Sequence, residues 1–190
     1  MEGLNLIAHN DLKNPATEAY RVIRTSIQFA QAGKELKTLA VTSCTPNEGK
    51  SMTVANLAVV LTQAGKSVLL LDCDMRNPTV HKNFGLSNKL GLSSCISMGT
   101  PLSAAAQATK VDNLYAVTSG VIPPNPSELL GSERMRELLQ EAREVYDYAP
   151  IDLPPVLPVA DALILGAMVD GVVLVIDSGE VKVDLARDVK

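Results

Sequence analysis

Residues 38–61 read TLAVTSCTPNEGKSMTVANLAVVL. A short β-rich run, Leu39 to Thr42, enters a polar turn from Ser43 to Gly49; Lys50 and Ser51 follow, and then an apolar helical pattern. Strand, tight turn, Gly-Lys-Ser and helix is the layout of a P-loop. The first turn of a helix leaves backbone N–H groups without partners and carries partial positive charge. A loop wrapped back over that turn adds donors, so a polyphosphate can sit there. Asn47, Glu48, Gly49, Lys50, Ser51 and Met52 are the candidate nucleotide-binding residues, with Lys50 on the β- and γ-phosphates and the Ser51 hydroxyl on Mg²⁺. The pattern G-x-x-x-x-G-K-[ST] begins with Gly, where this chain has Cys44, and Asn47 stands where related loops often have Gly. Asn tolerates positive φ better than most residues, so the turn is expected to survive. Taken alone, Glu-Gly-Lys-Ser would also serve as an ordinary helix start.

At 190 residues the chain suits one domain, and its 46% hydrophobic content suffices for a sizeable core. A net charge of −4 with no basic patch argues against nucleic acid as a partner. No apolar run approaches the length of a membrane span, and the first residues lack the basic-then-apolar pattern of a secretory signal. Cys44, Cys73 and Cys95 are odd in number and lack metal-ligand spacing, which reads as reduced thiols. A reactive Cys44 beside the phosphate loop is the alternative. His9 and His81 stand isolated and read as surface or packing residues.

Taken in order, residues 1–14 read as an irregular lead-in. Pro15 then opens a helical pattern, PATEAYRVIRTSIQFAQ, running to about residue 32, with Gly33 as its stop. Ala19, Ile23 and Ile27 recur at four-residue spacing and form its apolar stripe. Glu18, Arg21 and Arg24 are spaced three apart, which by itself describes a solvated charged face with one weak internal pair. Beyond the P-loop, Val54, Leu57, Ala58 and Leu61 mark the buried face of the next helix, and Gly65 caps it. SVLLL (67–71) is apolar without alternation, as in a strand covered on both faces. It runs into DCDMRNP (72–78), where Asp72 and Asp74 lie at the ligand-binding end of an open α/β sheet. Turn residues capping the next segment would read the same way.

Residues 79–110 carry Gly and Ser breaks, with short helical pieces expected around Leu92–Ser97 and Leu102–Gln107, and Asn113–Thr118 reads as a strand. In SGVIPPNPSELL (119–130), Pro123, Pro124 and Pro126 fix an extended loop. Ser127 or Ser132 is expected to cap the following helix, with Met135, Leu138 and Leu139 on its inner face. In YDYAPIDLPPV (146–156), apolar residues lead into Asp152, the position of a Walker B carboxylate beside a P-loop. Pro150 removes a ladder donor, so a bulge or weakened pairing is expected there. Pro158 is expected to start a helix, and GVVLVID (171–177) to form a further buried strand. The alternation of strands and helices indicates an α/β fold of the P-loop NTPase kind, with a mainly parallel sheet and helices on both faces.

From about Asn14 to about Gly179 the sequence resembles the bacterial tyrosine kinases of capsule and exopolysaccharide synthesis. EAYRVIRTSI is similar to that family's N-terminal Glu-x-x-Arg-x-x-Arg helix, PNEGKS to its Walker A, LLLDCDMRNP to its additional Walker A′ motif, GVIPPNPSELL to a family signature and YDYAPIDLPP to its Walker B; HKNFGLSN and GLSS also fit. The resemblance implies ATP and Mg²⁺ as cofactors. Lys50, Asp72, Asp74 and Asp152 would be the catalytic set, and Ser51, Asp72 and Asp152 the metal ligands, directly or through water. Asp74, with Asp72 as the rival, would assist deprotonation of the incoming tyrosine hydroxyl. It implies that Glu18, Arg21 and Arg24 reach into a neighbouring subunit of a ring-shaped homo-oligomer. It also implies a membrane adaptor of the polysaccharide co-polymerase type, which holds a stand-alone cytoplasmic kinase at the inner face of the cell membrane.

Three features depart from the family pattern. Tyr20, Tyr115, Tyr146 and Tyr148 are the four tyrosines and none follows Tyr148, so the usual C-terminal tyrosine cluster is absent from this sequence. Cys44 and Asn47 alter the P-loop. Ala149-Pro150 and Leu153 surround Asp152 where the family usually has branched residues and Thr. Two other functions compete: a positioning ATPase of the cell-division or plasmid-partition kind, and a non-catalytic nucleotide-binding scaffold. The former usually carries a Lys early in the loop, where this chain has Thr45, and lacks PPNPSELL.

Overall fold

The structure, a computed structural model, describes residues 5–30, 33 and 35–189. Among these the chain runs α1 (Ile7–Asn10), α2 (Pro15–Ala30), β1 (Thr38–Ser43), α3 (Lys50–Thr62), β2 (Val68–Asp72), α4 (Val80–Phe84), α5 (Leu92–Ser97), α6 (Leu102–Ala105), β3 (Gln107–Ala108), β4 (Leu114–Val117), α7 (Pro126–Leu130), α8 (Glu133–Val145), β5 (Ala149–Asp152), α9 (Asp161–Gly166), β6 (Gly171–Val175) and α10 (Val183–Asp188). The strands form one sheet in the order β3-β4-β2-β5-β1-β6, parallel throughout except for the β3–β4 edge pair. Every residue of β1, β2 and β5 is buried. Alternate strand residues face opposite sides: Leu69 and Leu71 pack with Leu92, Leu138 and Leu139, whereas Val68 and Leu70 pack with Leu57 and Leu61. Helices on both faces therefore explain why these strands read as unbroken apolar runs.

Several boundaries move from where the sequence places them. α3 is buried all round from Val54 to Leu61, not on one face. Its outer side is covered by the N-terminal helices: the Asn56 carboxamide oxygen accepts from Ala8 N–H at 2.9 Å, and Arg24 donates to the Val60 carbonyl at 2.9 Å. In α2, Ala19 faces solvent; Thr17 and Ile27 are buried, and Tyr20 and Ile23 pack against the apolar cluster that includes Ile27. Residues 31 and 32 of the expected helix lie outside the described residues. Gln107 leaves the helix expected there and pairs with Ala116 as an edge strand. The helix after Pro158 begins only at Asp161, because Val156 and Leu157 donate to the Ser43 and Cys44 carbonyls and hold that stretch in turns. GVVLVID forms an edge strand rather than a buried one, with Val172 half exposed. Ser132, not Ser127, caps α8, accepting from Met135 N–H.

Pro150 sits in the centre of the sheet without a bulge. Tyr148, Ile151 and Asp152 keep one register against Val68, Leu71 and Asp72, but the rungs between them are missing. Parallel strands alternate their donors between neighbours. Ala149 and Leu153 donate to the β1 side, and Tyr148 donates to Ser67 on the β2 side. Pro150 is thus the residue that would donate to β2 and has no N–H to do so. The pairing weakens, as expected, by a missing rung.

At the opposite end of the sheet Asp170 staples β1 to β6. Its carboxylate accepts from Thr38 N–H (2.9 Å), Thr38 Oγ1 (2.8 Å), Lys37 N–H (3.1 Å) and Arg143 (3.1 Å). Burial alone would raise its pKa, but these donors outweigh burial and hold the carboxyl below the usual range. A depressed folded pKa adds stability above the unfolded value, about 3.9, that is lost as pH falls through the folded one. Asp170→Asn is therefore expected to cost about 2 kcal/mol at neutral pH, with the difference from wild type shrinking below about pH 4. Urea denaturation at the two pH values checks it.

Candidate functional site

The loop between β1 and α3 is shaped by backbone conformation. Gly49 has φ 81° with open space where a Cβ would point, so its left-handed conformation, not crowding, calls for glycine. Asn47 adopts φ 68°, the conformation that suits Asn among non-glycine residues. The Glu48 carboxylate folds back onto the loop: it accepts from Thr45 N–H, from Thr45 Oγ1 at 2.8 Å and from Asp177 N–H at 3.0 Å. Burial would raise its pKa, but these bonds outweigh burial and lower it. Glu48 thus braces the loop with its side chain. Cys44 is buried, and burial together with the Glu48 charge pushes its thiol up, which disfavours the thiolate a reactive cysteine needs.

Lys50 opens α3 and meets the acidic strand ends. Its Nζ lies 2.6 Å from Asp74 Oδ2, 3.1 Å from Ser51 Oγ and 3.5 Å from Asp152 Oδ1. The far side of Asp74 accepts from Asn77 N–H at 3.0 Å. Asp72 and Asp152 end β2 and β5 as direct cross-strand partners, so two buried carboxylates stand side by side. Asp72 Oδ2 accepts from Val80 N–H at 3.2 Å, while Asp72 Oδ1 and both Asp152 oxygens are buried without a hydrogen-bond partner. Of the four residues expected to converge, Lys50, Asp74 and Asp152 meet directly, and Asp72 stands next to Asp152.

The electrostatics follow from this crowding. Burial, then the neighbouring Asp152 charge, pushes Asp72 well above the ordinary carboxyl range. Burial raises Asp152 to about 6 even though Lys50 opposes it. Burial would lower Lys50, but Asp152 and Asp74 outweigh it and raise its pKa. Three carboxylates share one ammonium, and buried polar atoms without partners are rare enough to require an explanation. Hydroxyl and carboxylate oxygens in this arrangement suit a hard divalent cation that keeps some of its water. Among the described residues no group of three or more His, Cys, Asp or Glu side chains forms a ready metal cage.

Above this cluster opens a cavity of about 570 Å³, within the usual range for a small-molecule cleft. Asn47, Gly49, Lys50, Ser51, Met52 and Asp74 line one side. Pro46, Pro154, Pro155, Pro158 and Val159 form an apolar wall, and Arg76 and Asn77 line the cavity as well. Sequence reasoning missed the proline wall and Arg76, although both lie inside stretches it singled out. Glu18, Arg21 and Arg24 are elsewhere, along a hollow on α2 with the exposed Val22 and Phe29. Arg21 pairs with Glu18 at 3.0 Å.

Several known proteins resemble this chain in sequence and fold. A family model described as AAA domain matches residues 36–184. Tyrosine-protein kinase YwqD of Bacillus subtilis (strain 168) is 49% identical over 186 residues, spanning 98% of this chain and 78% of the relative. The solved kinase domain of Escherichia coli tyrosine kinase ETK superimposes with a TM-score of 0.93 at 35% identity, over 98% of this chain and 74% of that one. The septum site-determining protein MinD complexed with Mg-ADP, from Pyrococcus horikoshii OT3, superimposes with a TM-score of 0.63 over 73% of this chain and 57% of its own, at 22% identity. That last likeness is one of fold alone.

Proposed function

Because the chain belongs to the bacterial tyrosine-protein kinases, we propose that it transfers the γ-phosphoryl group of ATP to tyrosine hydroxyls and thereby regulates capsular or exopolysaccharide synthesis and export. The observation that carries this reading is the Lys50–Asp74 pair on the cavity wall, backed by buried carboxylate oxygens without partners. The loop backbone from Asn47 to Met52 binds the phosphates, with Glu48 contributing through its main chain because its carboxylate is engaged by Thr45 and Asp177. The incoming triphosphate draws the Lys50 ammonium from Asp74 to the β- and γ-oxygens. Asp74, which lines the cavity, then accepts the tyrosine proton as the phenolic oxygen bonds to the γ-phosphorus and ADP departs. Asp72 is the weaker rival for that role, since it lies beneath the cavity wall and its environment favours the protonated form. Mg²⁺, held by Ser51 with Asp72 and Asp152 directly or through water, would neutralise charge on the transferring phosphoryl group.

The same reading puts Glu18, Arg21 and Arg24 at a contact between subunits of a homo-oligomeric ring, for which Arg24 must exchange its bond to the Val60 carbonyl for one to the neighbour; the exposed Phe29 and Val22 beside them support it. It pairs the chain with a membrane adaptor that recruits it to the cytoplasmic face. No helix among the described residues is long and apolar enough to cross a membrane. The test is mass spectrometry after incubation with Mg-ATP and a tyrosine-bearing tail. Phosphotyrosine on the tail supports the kinase reading; ATP hydrolysis without it favours a positioning ATPase, and nucleotide binding with neither favours a scaffold.

A further inference from the structure

Two residues beyond Asp74, the chain presents Arg76. Its guanidinium does not drift in solvent. Nε donates to Asp161 Oδ2 at 2.8 Å, and Nη2 donates to Asp161 Oδ1 at 3.1 Å and to Ser127 Oγ at 3.0 Å. Ser127 Oγ closes the triangle by donating to Asp161 Oδ1. Asp161 has no exposed surface, and it is the first residue of α9; Ser127 lies in α7, just past Pro126. Leu130 of α7 and Ala162 and Leu165 of α9 belong to one buried cluster, so the two acceptors sit on a packed base. A bidentate Arg–carboxylate pair fixes both direction and distance. Burial of Asp161 is outweighed by Arg76 and Ser127, which keep its carboxyl low, so the acceptor stays anionic.

The other end of the same short loop holds Asp74, whose two oxygens are taken by Lys50 and by Asn77 N–H. The loop is therefore tied down at both ends, on the nucleotide side by Lys50 and on the outer side by Arg76. We infer that Arg76, clamped by Asp161 and Ser127, is a positioning residue that holds Asp74 in place at the reacting end of the cavity. This rests on the phosphotransfer reading given above. It also gives the PPNPSELL stretch a task, since Ser127 delivers its hydroxyl to the clamp. An ordinary surface ion pair would contribute little; this one has a buried, anionic partner and three directed hydrogen bonds.

The test compares the full chain with Arg76→Lys, Asp161→Asn and the double variant, using Mg-ATP and a tyrosine-bearing peptide. Lysine keeps the charge but not the bidentate fork. Each single change is expected to lower kcat about 10²-fold, as a small misplacement of a reacting group does. KM for ATP should shift by less than about 3-fold, and the double variant should be no slower than the worse single one. Hydrogen exchange at Asn77 N–H should quicken in each variant. Full activity in Arg76→Lys, parallel loss of kcat and ATP affinity, or additive losses would overturn the inference. If wild type transfers no phosphate, the kinase reading fails on its own; Asn77 exchange still decides the clamp, and an unchanged rate in Asp161→Asn rejects it.

Discussion

Lys50→Met is expected to remove nucleotide-dependent thermal stabilisation and, with no nucleotide present, to destabilise the fold by about 3–5 kcal/mol. The two effects have one origin. In wild type the Lys50 ammonium, itself buried, is the cation that faces Asp74 and Asp152. Removing it leaves buried carboxylates without their counter-charge, and breaking a buried pair costs more than the pair contributes. Ligand at a hundred times its Kd stabilises wild type by about 2.7 kcal/mol, an increment the variant should lack. Adding Asp74→Asn should recover part of the lost stability but none of the nucleotide response. Thermal scans of wild type, Lys50→Met and the double variant, with and without Mg-ADP, check both statements. A Lys50→Met protein of wild-type stability that still responds to nucleotide would take Lys50 out of the site.

Asp152→Asn should move stability the other way. It removes a charge, held beside Asp72, whose 3.5 Å contact with Lys50 is longer than the 2.6 Å contact that Asp74 keeps with the same ammonium. The nucleotide-free chain is expected to gain about 0.5–2 kcal/mol, the scale of relief when a strained functional group is removed. Phosphotransfer to tyrosine should fall by about 10²–10³-fold, the cost of losing one preorganised electrostatic group. Stability gained and activity lost in one substitution marks a residue kept for function. If Asp152→Asn instead unfolds the chain, the carboxylate is a structural element and the site must be redrawn.

The catalytic end of the fold was legible in the sequence because its signals are local. Gly-Lys-Ser after a short apolar strand located the loop, and the unbroken run before Asp72 marked a strand covered on both faces. An apolar run does not say where its strand lies in the sheet, so GVVLVID looked buried although it forms an edge. The two-residue strand Gln107–Ala108 carries no period at all; it exists because β4 offers an open edge. The start of α9 is set by hydrogen bonds from Val156 and Leu157 to the P-loop base, far away in the chain. Arg76 and Ser127 each lay within quoted motifs and Asp161 in the stretch after Pro158, but separations of 51 and 85 residues leave no spacing rule to pair them. Of the α2 stripe, Ile23 and Ile27 do face the core and Ala19 does not, because four-residue steps drift around a helix of 3.6 residues per turn.

The most direct test of the shared site is a crystal structure of the chain with a non-hydrolysable ATP analogue and Mn²⁺ in place of Mg²⁺. Lys50 Nζ is expected to leave its 2.6 Å contact with Asp74 for the phosphates, with an anomalous Mn²⁺ peak between Ser51 and the Asp72–Asp152 pair. An intact Lys50–Asp74 contact, with nucleotide or metal bound elsewhere, would contradict this expectation.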